Sequence, residues 1–218
     1  MLEPRTIIHG FEVQDVLRSG PRGTIYEAVQ GSLLRTVALR ILAPWLSEDS
    51  EFVERFWRQQ WPEHSHIVPV YEAGESEHGL FLAMQLIRGE TLAEVLARGG
   101  LSEPDGIALL TQVASALDAA HEEDIAHGWL RPEAVLIDDG GRPWLSDFGL
   151  TPGAANPAMD RAAFGKLVRA CLGRRSVRRG RCETCSDLVV TATARVQGSP
   201  GGNKGGFLRR HAPRGDAG

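Results

Sequence analysis

The sequence is poor in lysine, in cysteine and in long apolar runs. Only two lysines, Lys166 and Lys204, occur among 218 residues, so chemistry that needs a lysine side chain before residue 166 is excluded. Three cysteines cannot build a disulfide framework, and they indicate a reducing compartment. The longest apolar run, residues 79–87, is far shorter than the roughly 18 residues of a membrane helix, and the N-terminus lacks a secretion-signal pattern. We therefore expect a cytoplasmic protein without a membrane span.

Charge divides the chain into an acidic body and a basic tail. Residues 1–173 carry a net charge of −11 and residues 174–218 a net charge of +7, which together give the overall −4. The tail is rich in Gly and Arg and shows no periodicity apart from a strand-like patch at 188–193. We expect it to be disordered, because it offers little apolar surface to bury. Its arginines lack interleaved aromatic residues, which argues against nucleic-acid binding.

The first half of the body alternates short apolar runs with Gly, Pro, Ser and Asp, a pattern that predicts strands. A helix with Ser50 as its N-cap and Pro62 at its end separates the third strand from the fourth. The five predicted strands cover residues 11–17, 24–29, 36–42, 67–72 and 80–87.

The second half of the body has helical periodicity. Ser102 begins a long amphipathic helix that ends near Asp124. Two short strands, 134–137 and 143–145, are joined by a turn, and a last helix spans 160–172. Asp160 is at the start of this helix, where it can act as the N-cap.

Four segments in order resemble the motifs of bacterial Hanks-type Ser/Thr protein kinases. His127–Ile137 follows H-R-D-L-K-P-E-N-x-L-I without gaps, and Ser146–Gly149 retains Asp-Phe-Gly. Val37–Arg40 lies at the place of V-A-I-K, and Leu17–Ala28 resembles the glycine-rich loop. The resemblance implies an α+β bilobal fold with a five-stranded antiparallel N-lobe sheet plus one helix. We divide the chain into a lead (1–10), the N-lobe (11–87), a truncated, mainly helical C-lobe (88–173) and the tail (174–218).

The sequence departs from the family pattern at the positions that carry phosphoryl transfer. Trp129 replaces the catalytic-base aspartate and Ala134 replaces the metal-binding asparagine. Arg131 stands at the catalytic-loop lysine position. Because Trp129 occupies the base position, no residue is predicted to be catalytic. For Asp160, the resemblance implies bracing of the catalytic loop, and N-capping explains this residue equally well. Arg40 replaces the phosphate-gripping lysine, and Gln59 stands where the helix should supply its glutamate partner. Only 13 positions separate Asp147 from the last helix, with no recognisable substrate platform.

The nucleotide side of the motif set is better preserved. The resemblance implies weak ATP binding and a Mg²⁺ ligand at Asp147. It places the nucleotide against Gly20, Gly23, Ile25, Ala38, Arg40, Met84, Leu86 and Leu136.

These observations favour a pseudokinase, a nucleotide-pocket scaffold or regulatory protein that acts through an unidentified protein partner and lacks efficient phosphotransfer. Two alternatives stay open: an active but divergent Ser/Thr kinase, and a decayed, truncated kinase gene product whose tail is out of frame. Cys182 and Cys185 have metal-ligand spacing but lack two further ligands at suitable spacing, so we expect no zinc site.

Overall fold

The N-terminal half of the chain folds into one antiparallel sheet. The computed structural model describes residues 2–173 and 184–197. The strands follow the order β1-β2-β3-β4-β6-β5. The five predicted strands are present, and the two-residue strand β1 makes the sheet six-stranded instead of five-stranded, because a pairing this short leaves no pattern in the sequence. The strands are β1 (Ile7–Ile8), β2 (Phe11–Gly20), β3 (Gly23–Gln30), β4 (Arg35–Leu42), β5 (Val70–Ser76) and β6 (Gly79–Gln85).

Strand β4 lies inside the sheet and is covered on both faces. Val37 and Leu39 pack on one face with Phe11 and other residues of the sheet, while Ala38 lies on the opposite face with the second lobe's Leu150. Successive side chains of a strand point to opposite faces. Arg40 therefore shares the face of Ala38, the one turned toward the second lobe.

Two short helices follow β4, where the resemblance implied one. They are α1 (Pro44–Ser47) and α2 (Ser50–Arg58). The N-cap of α2 is Asp49 rather than Ser50, because the Asp49 carboxylate accepts hydrogen bonds from the backbone N–H groups of Glu51 and Phe52. Helix α2 ends at Arg58, so Gln59 lies just beyond it.

The second lobe is built around a long helix. Its elements are β7 (Gly89–Thr91), α3 (Leu92–Ala97), α4 (Glu103–Glu122), β8 (Val135–Asp138), β9 (Pro143–Leu145) and α5 (Pro157–Leu172). Strands β7, β8 and β9 form a small antiparallel sheet. Ser102 caps α4 as predicted, whereas α5 starts at Pro157 with Asn156 as its cap, so Asp160 is not an N-cap. The core between α4 and α5 includes Leu110, Leu117, Phe164, Leu167 and Val168.

Helix α6 (Cys185–Gln197) contradicts two predictions for the basic tail. We expected disorder and a strand-like patch at 188–193, but these residues are helical, and Cys185, Val189 and Ala192 are buried against α4 and α5. The Asp118 carboxylate of α4 accepts hydrogen bonds from the backbone N–H groups of Cys185 and Ser186, at 2.8 and 2.9 Å. This cap and the helical spacing of the buried residues outweigh the strand preference of the β-branched run. Cys182 and the rest of the tail lie outside the described residues.

Within residues 2–173 and 184–197, no helix combines the length and apolar character needed to cross a membrane.

Candidate functional site

A cavity of about 270 Å³ lies between the two lobes. It is bordered by Asp147, by Arg131 and by six of the eight residues predicted to contact nucleotide, namely Ile25, Ala38, Arg40, Met84, Leu86 and Leu136. The two predicted glycines, Gly20 and Gly23, do not line it. The predicted site is therefore brought together apart from its two glycines.

Strand register builds the apolar end of the cavity. Ala38 of β4 lies opposite Met84 of β6, and Ile25 of β3 lies opposite Arg40. Leu136 approaches from β8 in the second lobe. Apolar side chains from both lobes thus form a slot for a flat, apolar group such as a nucleobase.

The glycine-rich segment is a tight hairpin turn between β2 and β3, with Gly20 opposite Gly23. Gly23 has a φ of 120°, and a Cβ there would lie 1.9 Å from the carbonyl oxygen of Ile41. Gly23 is therefore needed for the close approach of β4. The turn holds a residue that the sequence analysis missed, Arg22, whose side chain is buried with only 4% of the residue exposed.

The arginine at the lysine position forms an ion pair across the cleft. Arg40 Nη1 lies 3.1 Å from Asp147 Oδ1, and both side chains are buried, at 9% and 4% exposure. The contact lacks the geometry of a hydrogen bond, since both atoms are without a hydrogen-bond partner. Asp147 has a φ of 72°, a left-handed conformation that is uncommon for a residue with a Cβ. Asp147 is thus held in a constrained turn with one oxygen facing Arg40.

Gln59 contacts a different partner from the one its position implies. Its Nε2 donates a hydrogen bond to the carbonyl oxygen of Phe148, at 3.1 Å. Arg55 of α2 likewise donates to the carbonyl oxygen of Thr151, at 3.1 Å. The end of α2 therefore fixes the backbone after Asp147 and supplies no carboxylate to Arg40.

The Trp129 ring contacts two guanidinium groups. The Arg22 guanidinium carbon is 3.8 Å from the centroid of the Trp129 ring, and that of Arg131 is 5.6 Å away. Such cation–π contacts orient arginine side chains over the ring. An indole can donate a hydrogen bond but has no acceptor, so Trp129 cannot take a proton from a substrate hydroxyl.

Asp160 braces the loop that carries Trp129. Its carboxylate accepts hydrogen bonds from the backbone N–H groups of His127 and Gly128, at 2.7 and 2.8 Å, and lies 2.9 Å from His121 Nε2. Burial would raise the pKa of Asp160, but the hydrogen bonds from His121 and from the loop backbone outweigh burial and hold it below the ordinary value. Of the two explanations for Asp160, the structure supports bracing.

His127 is a structural residue of the same loop. It is fully buried, and its ring packs against Phe148 with 4.6 Å between centroids. Burial lowers the pKa of His127, because the attraction of Asp160 and Asp147 for its charged form is smaller than the cost of desolvating that form. The neutral ring therefore belongs to the core beneath the site.

The charged lining of the cavity fits a nucleotide better than it fits a divalent cation. Magnesium requires an octahedron of oxygen ligands. Among the described residues, the carboxylates that line the cavity are Asp147, which faces Arg40, and Glu133, which is 3.9 Å from Arg131 Nε. Ala134, at the asparagine position, is buried and offers no side-chain oxygen. Four arginines line the same cavity, so its surroundings suit anionic groups: Arg18, Arg40, Arg88 and Arg131.

Residues 11–165 match the family described as the protein kinase domain. This chain belongs to the protein kinase family. Among relatives of this kinase-family chain, the Ser/Thr-protein kinase PknH of Mycobacterium bovis is 35% identical over 145 residues, which are 64% of this chain and 24% of PknH. PknD of Mycobacterium tuberculosis is 31% identical over 154 residues, 68% of this chain and 23% of PknD. The kinase-family chain spans about a quarter of the length of these relatives.

Solved structures of a bacterial kinase domain have the same fold as this chain. The crystal structure of the Mycobacterium tuberculosis PknI kinase domain superposes with a TM-score of 0.78 at 22% identity, covering 89% of this chain and 99% of that kinase domain. Another PknI crystal structure gives 0.78 at 20% identity. The predicted resemblance to bacterial Hanks-type kinases and the predicted bilobal kinase fold are confirmed.

Proposed function

We propose that this chain is a pseudokinase that binds a nucleotide in the cleft between its lobes without transferring phosphate efficiently. The observation that carries the proposal is Trp129, whose indole stands at the catalytic-base position and stacks on Arg22 at 3.8 Å. Loss of a general base costs roughly 10²–10⁴-fold in rate. The indole of Trp129 has no proton-accepting atom, so it cannot replace the missing base.

Nucleotide binding is supported by the preserved half of the cleft. Ile25, Ala38, Met84 and Leu136 offer apolar contacts to a base, and the hinge residue Leu86 lies beside them. Kinase-family proteins use ATP and Mg²⁺ in general, and bound ATP would bring a transferable phosphoryl group and a polyphosphate charge into the cleft. We infer that Asp147 contributes at most one metal ligand here, since Arg40 already faces one of its oxygens.

The active-kinase alternative requires groups that the cleft lacks. Positioning of the phosphates supplies most of the catalysis in this family. Arg40 has no glutamate partner from α2, because Gln59 stands at that position. The Gln59 side chain instead donates a hydrogen bond to the Phe148 carbonyl oxygen. Ala134 supplies no metal ligand. These losses disfavour a divergent Ser/Thr kinase.

The decayed-gene alternative is disfavoured by α6. Its buried residues Cys185, Val189 and Ala192 recur at helical spacing against α4 and α5, and Asp118 caps its first turn. A segment translated in the wrong reading frame would not be expected to match both the Asp118 carboxylate and the apolar surface of α4 and α5. We infer a selected segment and a protein with a role.

We propose that this role is cytoplasmic, because the low cysteine content indicates a reducing compartment, and that the partner is a protein. The body of the chain carries a net charge of −11, which repels nucleic acid and favours a protein partner.

Phosphotransfer is tested with radiolabelled ATP, using the protein alone and basic protein substrates. We expect a rate at least about 10⁴-fold below the roughly 1–100 s⁻¹ of active kinases. The triple variant Trp129→Asp, Ala134→Asn, Arg40→Lys should also be inactive on protein substrates, because the 13 positions after Asp147 hold no substrate platform. Label incorporated by the unmodified chain and lost in Asp147→Asn would establish the active-kinase alternative instead.

A further inference from the structure

Three arginines from three different elements converge beside Asp147. Arg22 comes from the β2–β3 turn, Arg40 from β4, and Arg131 from the loop before β8. Arg40 and Arg131 line the cavity, and Arg22 interacts electrostatically with Arg40, Arg131 and Asp147. Arg22 and Arg40 are more than nine-tenths buried, at 4% and 7% exposure.

The guanidinium groups of this arginine cluster (Arg22, Arg40 and Arg131) hold unused donors. Arg22 Nη1, Arg40 Nε and Nη1, and Arg131 Nε are buried and make no hydrogen bond to any part of the chain that the structure describes. Arg40 and Arg131 make ion-pair contacts with Asp147 and Glu133, at 3.1 and 3.9 Å. Buried donors normally have a partner, so these N–H groups point to a ligand that accepts hydrogen bonds.

The charge of the cluster defines that ligand as a polyanion. Burial and the charges of Arg131 and Arg40 lower the pKa of Arg22 to about 10, although Asp147 acts in the opposite direction. Arg22 therefore stays protonated at pH 7. Three positive charges surround one buried carboxylate, and planar guanidinium forks match phosphate oxygens.

The position of Arg22 is fixed before any ligand arrives. Its carbonyl oxygen accepts a hydrogen bond from the backbone N–H of Ala43, at 3.0 Å. The carbonyl oxygen of Pro21 accepts one from Trp45 Nε1, also at 3.0 Å. Trp129 supports the guanidinium from the opposite lobe. Little ordering is then required on binding, which favours affinity.

A divalent cation does not fit this end of the cleft. The buried carboxylate of Asp147 faces Arg40, and the charges beside it, those of Arg22, Arg40 and Arg131, are positive. A cation placed here would meet electrostatic repulsion and too few oxygen ligands.

We propose that Arg22, Arg40 and Arg131 hold the phosphate groups of a nucleoside di- or triphosphate directly, without a divalent cation. This inference rests on the proposed function, because the base must occupy the apolar end of the same cavity. The arginine cluster takes over the charge neutralisation that Mg²⁺ supplies in active kinases.

The first experiment measures adenosine, AMP, ADP and ATP binding to the full chain by calorimetry in EDTA. We expect affinity to rise by about 100-fold or more from adenosine to ATP, since each charged hydrogen bond contributes about tenfold. Excess Mg²⁺ should leave ATP binding unchanged or weaken it. Inorganic tripolyphosphate should bind more weakly than ATP, because it lacks the base; equal affinity would overturn a nucleotide site.

The second experiment uses matched arginine variants. Arg22→Gln and Arg131→Gln should each weaken ATP binding about tenfold and leave adenosine binding unchanged. Arg58→Gln and Arg98→Gln are controls, because these arginines do not line the cavity and are paired with Glu54 and Glu90, each at 2.6 Å. A melting curve confirms that each variant folds. If Arg22→Gln does not fold, Arg131→Gln still tests the proposal, because Arg131 is only half-buried.

Two contrary outcomes separate this inference from the proposed function. Adenosine binding with no gain from phosphates, or ATP binding only when Mg²⁺ is present, would overturn the arginine cluster and leave the nucleotide pocket standing. Absence of both adenosine and ATP binding would overturn the pocket itself.

Discussion

The two ends of the cleft have kept different parts of the kinase site. At the apolar end, the predicted nucleotide-contacting residues Ile25, Ala38, Met84 and Leu136 line the cavity together. At the phosphate end, the lysine, the base and the asparagine are replaced by Arg40, Trp129 and Ala134. Ala38 and Met84 are also core residues, so sheet packing preserves them. Polar site residues have no comparable packing role, and their loss leaves the fold intact.

The largest expected effect concerns the support beneath the phosphate end. Asp160→Ala removes the acceptor for His121 and for the His127 and Gly128 backbone, leaving buried donors without partners. We expect the free energy of unfolding to fall by about 3 kcal/mol or more. Chemical denaturation measures it, with exposed Asp139→Ala as the control. A loss below about 1 kcal/mol would mean that the loop is not braced in this way.

A large side chain in the apolar end should weaken the binding of every ligand that contains the base. Ala38→Phe places a ring opposite Met84, where the base is expected, and should weaken adenosine and ATP equally, by about 100-fold. Calorimetry in EDTA measures both ligands, and Ala97→Phe on the exposed end of α3 is the matched control. If ATP binding survived while adenosine binding was lost, the phosphate end alone would be the ligand site.

Acid should destabilise the loop under the phosphate end in two stages. His127 has a lowered pKa in the folded protein, so below about pH 6.5 the unfolded chain binds a proton that the folded chain refuses. Stability is full above that pH and falls by up to about 1.4 kcal/mol per pH unit below it. Asp160, whose pKa is also lowered, adds a second loss below its ordinary value of 3.8.

Unfolding curves between pH 8 and pH 4 test the first stage. His9→Gln, at an exposed position, should leave the slope unchanged, and His127→Gln should reduce it. A stability that is flat from pH 7 to pH 5 would contradict a neutral, buried His127.

The smallest expected effect tests how firmly the β2–β3 turn is held. Trp45→Phe removes the donor to the Pro21 carbonyl and should weaken ATP binding about threefold, with adenosine binding unchanged. The bond is at the surface, which keeps the effect small. An equal loss for adenosine would show that the turn supports the whole cleft rather than its phosphate end.

The sequence predicted the backbone of the site better than its side-chain contacts. The His127–Ile137 and Ser146–Gly149 motifs predicted that Leu136 and Asp147 lie close together, and both line the cavity, because gapless spacing fixes backbone position. Gln59 was predicted to lie within a helix that ends at Pro62, but α2 stops at Arg58, and the bond from Gln59 to the Phe148 carbonyl depends on that earlier stop.

Arg22 was missed because nothing local reveals where a turn side chain will point. The one feature of the sequence that could have indicated the Arg22–Trp129 contact was an arginine in the turn together with an aromatic residue at position 129. These two positions are far apart in the sequence. Helix α6 was predicted to be disordered for a related reason. The residue that caps it, Asp118, lies in α4, 67 residues before Cys185 in the sequence.

Gly23 has a consequence for how this gene changes over evolutionary time. Its missing Cβ is required by the carbonyl of Ile41, whereas an added Cβ at Gly20 would meet open space. Purifying selection should therefore keep codon 23 in every descendant that still folds, whether or not it transfers phosphate, while codon 20 is free to drift. A glycine retained in this loop records common descent and an intact sheet, and it says nothing about whether an enzyme is still there.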